Sequence, residues 1–273
     1  MKKNMTALAM SAALAAGTLG YMSAAQAEPV SANFSNNIHV ISTNSCDLDV
    51  TLPTGSRDFV ANWTHPAASG AATTMVVDAA TVAAPPEILV AVTGGAGCKL
   101  DNLKLSTAID DVSPVPGGTR TFLKAVTGST NGGYWRFTPT VAKATLYADA
   151  AATSGATTSV EFIDPTGKTL SQSASAKGTR SGEVPEMETA GVKGILMTDN
   201  YFSDGVEASL VAAGSGESQL KALDPNGSYK AMKIGISAIL GTDPESAAGT
   251  PAVLSVASGD SVDIKYTVTI TTA

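Results

Sequence analysis

The last dozen residues constrain this chain most. Val262, Ile264, Tyr266, Val268 and Ile270 alternate with Ser261, Asp263, Lys265, Thr267, Thr269 and Thr271. A side-chain repeat of two belongs to an extended strand with one face in a core and the other toward water. Each large apolar residue on such a face gains roughly 1.5–3 kcal/mol when fully buried. The chain therefore closes with a strand, and that strand needs a sheet to join.

The beginning of the chain repeats the pattern less regularly. Val30, Ala32, Phe34, Asn36, Ile38 and Val40 alternate with Ser31, Asn33, Ser35, Asn37 and His39, and the alternation resumes over Cys46, Leu48, Val50 and Leu52. Residues 28–37 are apolar on one face yet loop-like in composition. Such a segment can serve its own sheet or dock on a neighbour's by adding a strand.

Ahead of it lies an export signal. Lys2 and Lys3 precede a small and apolar run from Met5 to Leu19, and Ala25-Gln26-Ala27 supplies the small-x-small pattern of a cleavage site before Glu28. Ser11, Gly17, Thr18 and Gly20 interrupt that run, which is short against the roughly 20 apolar residues a membrane span needs. Residues 1–27 are thus expected to be removed. Two lysines and no acid go with them, so the remaining chain is still more acidic than the net −7 of the whole. Such a charge gives no footprint for nucleic acid. It favours solubility and mutual repulsion at high density.

Between the ends, Ala, Val, Thr, Ser and Gly dominate, and long amphipathic helical patterns are scarce. Short β-branched stretches separated by turn signals predict an all-β sandwich or barrel. Strands are expected at residues 74–78, 87–93, 133–137, 144–148, 159–163, 192–197 and 206–212. Asp164-Pro165-Thr166-Gly167 and Asp224-Pro225-Asn226-Gly227 are the clearest turns. Residues 148–158 and 171–181, rich in Ala, Ser, Thr and Gly, read as surface loops or weak edges. No linker divides the chain, which favours one enlarged sandwich over two small ones.

The two cysteines, Cys46 and Cys98, are expected to form a structural disulfide in an oxidising compartment. A metal pair or a reactive thiol lacks supporting ligands nearby. Catalytic constellations are nearly absent, and the chain reads as a non-enzyme. His39 and His65 belong to no ligand-spaced cluster, and there is no G-x-S-x-G elbow. Gly94-Gly95-Ala96-Gly97 reads as a turn. Asp110-Asp111 and Asp199-Asn200 have the oxygens for calcium but no EF-hand loop. No cofactor or metal is expected. Tyr134-Trp135-Arg136-Phe137 stands out among few aromatics. On a strand, Trp135 and Phe137 face one way and Tyr134 and Arg136 the other. The strand is either a core element anchored by Trp135 or a candidate receptor patch of Tyr134, Trp135 and Arg136, and packing is favoured.

Together these features resemble the fimbrial (pilus) subunits of Gram-negative bacteria assembled by the chaperone–usher pathway. The resemblance rests on the signal, the alternating segment Val30–Val40, Cys46 early in the mature chain with Cys98, and the terminal strand. Gly259, 14 residues before the end, and the turn Asn226-Gly227-Ser228-Tyr229 leading into Met232, Ile234 and Ile236 add to it. Thr272 stands where such subunits often carry tyrosine. The chain is also larger, with the extra length between Thr107 and Met187.

The resemblance implies an immunoglobulin-like β-sandwich, enlarged by insertions over residues 38–273 and completed by strand exchange between subunits. Residues 28–37 would be the donor strand, with Val30, Ala32, Phe34 and Ile38 filling a neighbour's groove. Val262, Ile264, Tyr266, Val268 and Ile270 would line that groove. The implied partners are identical or related pilus subunits, a periplasmic chaperone, an outer-membrane usher, and a host glycan or protein receptor. The implied destination is a fimbrium at the cell surface, reached through the periplasm, with a role in adhesion. A monomeric secreted adhesin or carbohydrate-binding module is the alternative.

Overall fold

A computed structural model describes residues 30–40, 46–52, 59–65, 72–77, 87–129, 132–171, 187–188, 192–198, 202, 209–213 and 216–272; of 30–40, Phe59 and Tyr266 only the backbone is described. The expected signal segment, Asp199-Asn200 and most of residues 171–181 lie outside these. The described chain is all-β, and its one helical element is a 3₁₀ turn at Val253–Ser255.

Among the described residues, fifteen strands form two sheets in a sandwich-like arrangement. They are β1 Val30–Val40, β2 Asp47–Thr51, β3 Phe59–Thr64, β4 Thr74–Val77, β5 Glu87–Thr93, β6 Asn102–Ile109, β7 Val112–Pro114, β8 Phe122–Ala125, β9 Tyr134–Tyr147, β10 Val160–Ile163, β11 Thr169–Ser171, β12 Gly194–Leu196, β13 Glu217–Ala222, β14 Ala231–Gly241 and β15 Ser261–Thr272. The first sheet runs β11-β10-β13-β6-β15-β1-β3-β4. The second runs β2-β5-β14-β9-β8-β7, with β12 also on β14.

The core lies between them. Val262, Ile264, Val268 and Ile270 of β15 meet Leu103 and Leu105 of β6, Ile234 and Ile236 of β14, and Trp135 and Phe137 of β9 in one apolar cluster. The alternation in β15 is realised at Val262, Ile264, Val268 and Ile270, which are buried, and at Asp263 and Lys265, which are exposed. β5 matches its expected span to the residue, and its Ile88, Val90 and Val92 are buried.

Cys46 and Cys98 are disulfide-bonded with their Cα atoms 5.6 Å apart. The bridge sits just beyond Asp47↔Thr93, a register pair of the β2–β5 ladder. Closing a 52-residue separation stabilises the fold by about 4 kcal/mol in the chain-entropy picture.

Two expected strands turn out to be one. Residues 133–137 and 144–148 fall on the 14-residue β9, which runs straight through Pro139. In a strand, the N–H and C=O of one residue point to the same side. The Pro139 carbonyl accepts from the Leu210 N–H at 2.8 Å, so the missing N–H faces that loose neighbour and not β14. β8 pairs only up to Phe137 and makes no demand on it. Farther along, the register between β14 and β9 slips at Gly235/Ile236, where Gly235 opposes Lys143 and Ile236 opposes Val141. One extra residue, Ala142, is thereby accommodated as a bulge. Residues 209–212, the described part of the strand expected at 206–212, are not a strand; they pack beside β9 through Leu210.

Both glycines noted near the late strands have physical grounds. A Cβ on Gly227 would lie 2.1 Å from the Tyr229 ring, so the turn into β14 admits only glycine if Tyr229 keeps its place. Gly259, in the turn before β15, has φ +85°, a left-handed conformation that glycine adopts without steric cost.

Candidate functional site

β1 occupies an unusual place for the first strand of a sheet. It lies between β15 and β3, parallel to the former and antiparallel to the latter. Ten register pairs, from Ser31↔Ser261 to Val40↔Ile270, run along β15; five, from Val30↔Trp63 to Phe34↔Phe59, run along β3. No other described strand joins β15 to the β3–β4 pair. Taking β1 away would divide this sheet and leave two open edges, one on each side of the gap. Unpaired N–H and C=O groups along an edge are a template for another strand.

The walls of this slot are built from the regular face of β15. Val262, Ile264, Val268 and Ile270 are completely buried, and Ala61 and Trp63 of β3 are nearly so. The backbones of Val30, Ala32, Phe34 and Ile38 lie in the slot opposite Trp63, Ala61 and Val262, Phe59 and Ile264, and Val268 in register; their side chains, and that of Tyr266, are outside the description. The segment expected to serve a neighbour is thus in the chain's own sheet in this single copy.

Tyr134, Trp135 and Arg136 do not form a receptor patch. Trp135 is buried, donates its indole N–H to the Gly241 carbonyl at 3.0 Å, and meets Trp63 edge-on with ring centroids 5.8 Å apart. Arg136 is fully buried on the opposite face. Its Nε and Nη2 donate to the two carboxylate oxygens of Glu245 at 2.7 and 2.8 Å, and Nη2 also donates to the Gly249 carbonyl at 3.0 Å. Tyr134 is half-buried, and its backbone pairs with that of Glu245. The packing role of Trp135 prevails because both faces of this strand are covered.

Other candidates are equally placed in structural roles. His65 stacks on Trp63 at 5.9 Å. The Trp63 indole N–H donates to Asp243, which also accepts from the Thr73 hydroxyl at 2.5 Å. The glycine-rich segment before Cys98 is a turn closed by Cys98 N–H to Gly95 C=O at 2.9 Å. Asp111 is exposed and lies 3.8 Å from Lys124. Among the described residues no group of His, Cys, Asp and Glu could hold a metal ion.

Sequence reading missed the polar partners altogether. Glu245 lies 109 residues from Arg136, and Arg120 lies 44 from Asp164, its partner at 2.7 Å. No local spacing signals either pair. Asp164 was legible only as a turn residue, through the Pro165 and Gly167 around it.

Compared with known proteins, the chain matches no family profile, no curated protein and no solved structure.

Proposed function

We propose that this chain is a structural subunit of a surface pilus of the chaperone–usher kind, exported through the periplasm and polymerising by exchange of its first strand. One observation carries the reading: among the described strands β1 alone links β15 to β3, so it is an insert whose removal leaves a slot of matching shape. The same segment entering a neighbouring copy would make equivalent main-chain hydrogen bonds, with alternate side chains fixing register. Repeated head to tail without closure, the contact generates a filament. A single copy has the advantage of supplying its own strand locally, as any tethered segment does. Assembly therefore needs a periplasmic chaperone to hold the slot open until a neighbour's strand arrives, and an outer-membrane usher to bring the copies together.

In this reading the sandwich is immunoglobulin-like in role, with residues 28–37 as donor and 38–273 as the body. Its surface would support adhesion once displayed in many copies. The burial of Trp135 and Arg136 removes the aromatic receptor patch that would have favoured a lone adhesin.

Deleting residues 28–36 tests the reading. Cells expressing the chain with its chaperone and usher should yield a truncated subunit that is folded, chaperone-bound and unable to extend a filament, as seen by electron microscopy. Normal filaments from the truncated subunit would refute exchange through this segment.

A further inference from the structure

The loop between β7 and β8, residues 115–121, is gripped by two carboxylates from distant parts of the chain. Glu188 accepts the Thr119 N–H at 2.6 Å and the Thr119 hydroxyl at 2.8 Å on one oxygen. Its other oxygen accepts the N–H groups of Arg120 and Thr121 at 2.7 and 2.9 Å. Three successive backbone donors thus close around one side chain. The Arg120 side chain then reaches the β10–β11 turn, donating Nε to Asp164 at 2.7 Å and Nη2 to the Thr166 hydroxyl at 2.5 Å. Asp164 also accepts the N–H groups of Thr166 and Lys168, both at 2.9 Å.

The loop belongs to one sheet and the β10–β11 turn to the other. We infer that residues 115–121 are an acid-released clamp between the two sheets, closed while Glu188 and Asp164 are both ionised. A carboxylate can accept from several donors at once; protonation converts one of its oxygens into a donor facing donors. Neither grip survives that change intact.

The charges around the clamp fit this behaviour. Arg120 is held on Asp164, Lys168 lies on the same turn, Lys193 is exposed, and the Arg136–Glu245 pair lies behind the loop where Gly249 approaches Val115 and Pro116. Burial raises the Glu188 carboxyl, and the backbone N–H groups of Thr119 and Arg120 with the Thr119 and Thr121 donors outweigh it, so the net shift is downward. Burial likewise raises Asp164, and Thr166, Arg120 and Lys168 together take it below its ordinary value. Both groups are depressed on folding. Their contribution is full above the ordinary carboxylate range and is lost as pH falls through the folded values. The apolar contacts of β14 and β15 and the disulfide carry no titrating group, whereas both grips of the clamp are carboxylates, so the clamp lets go before those strands do.

Amide hydrogen exchange of the intact, disulfide-bonded protein tests this, with protection corrected for the intrinsic effect of pH. Protection at Thr119, Arg120 and Thr121 should fall at least about tenfold between pH 6 and pH 3, a factor matching one unit of proton linkage, while β14 and β15 stay protected. Glu188→Gln places an amide NH₂ where an acceptor is needed and should show the low protection already at pH 6. Full loop protection down to pH 3, or simultaneous loss in β15, overturns the clamp. So does full protection of Thr119–Thr121 in a folded Glu188→Gln variant. Should that variant fail to fold, the pH series on the unaltered protein decides alone.

Discussion

β15 and β9 carry similar alternation, and the structure treats them differently. In β15 Val262, Ile264, Val268 and Ile270 enter the core while Asp263 and Lys265 meet water. In β9 Trp135, Phe137 and Val141 enter the same core, but the intervening Arg136, Thr138 and Thr140 are buried as well. Their face is roofed by other parts of the chain. Thr138 shares a hydrogen bond with Thr121 at 3.0 Å, Ser237 on neighbouring β14 shares one with Thr198 at 2.7 Å, and Glu245 holds Arg136. Met187, Leu196 and Ile239 form a small apolar cluster under the same cover. Alternation reports that two faces differ; it does not report whether the polar one is wet. A hydroxyl face can be buried when each group finds a partner.

The sharpest break in the comparison comes from charge. Arg136→Met leaves the Glu245 carboxylate buried without its partner, and removing one member of a buried pair costs about 3–5 kcal/mol. Lys265→Met, on the open face of β15, should change stability by no more than about 0.5 kcal/mol. Urea denaturation of the oxidised protein measures both. Equal losses would mean that the two outer faces are equally covered.

A gentler cut separates a hydrogen-bonded roof from a merely crowded one. Thr121→Val strands the Thr138 hydroxyl in a dry site, takes one donor from Glu188, and should cost about 1–3 kcal/mol. Removing both hydroxyls, with Thr138→Val added, should recover the part of that loss due to the stranded Thr138 hydroxyl, because apolar replacement of both partners approaches neutrality. A double variant as damaged as the sum of the singles would show that the two hydroxyls act independently.

The smallest effect lies in the exposed loop after β9. Asp149 accepts from the Ser154 hydroxyl at 2.8 Å, the Ser154 N–H at 2.6 Å, and the Thr153 N–H and hydroxyl. These bonds, led by the Ser154 hydroxyl, outweigh the desolvation that opposes them and take its pKa down to about 2. The ordering it gives the loop is present above the ordinary carboxylate range and lost as pH falls through about 2. Carboxyl NMR titration should find Asp149 below the other surface aspartates, and Ser154→Ala should bring it back toward them.

What could be read from the sequence follows from how local its cause is. β5 and β15 were legible because their apolar faces announce themselves over seven or more residues. The Cys46–Cys98 bridge was legible because the chain holds only two cysteines. β9 was read as two strands, and only the position of Leu210 shows how one strand runs on through Pro139, a residue that ordinarily ends a central strand. The roof over Arg136 and the grip of Glu188 on the Thr119–Thr121 amides depend on contacts between segments far apart in sequence. Neither leaves a periodic trace. β1 is intermediate: its strand character was plain, while its neighbours and its parallel run along β15 were not.

Exchange of β1 between copies can be followed with one engineered cross-link. Ser35 and Lys265 are register partners across β1 and β15. With both replaced by cysteine, directly opposed positions of neighbouring strands are close enough to bridge. Oxidation of the isolated protein followed by non-reducing electrophoresis should give a monomer with one additional internal bridge. Oxidation of assembled filaments should give a ladder of covalent multimers, because each β1 then lies in the next copy. Filaments that yield only internally bridged monomers would contradict strand exchange and leave β1 a permanent part of its own sheet.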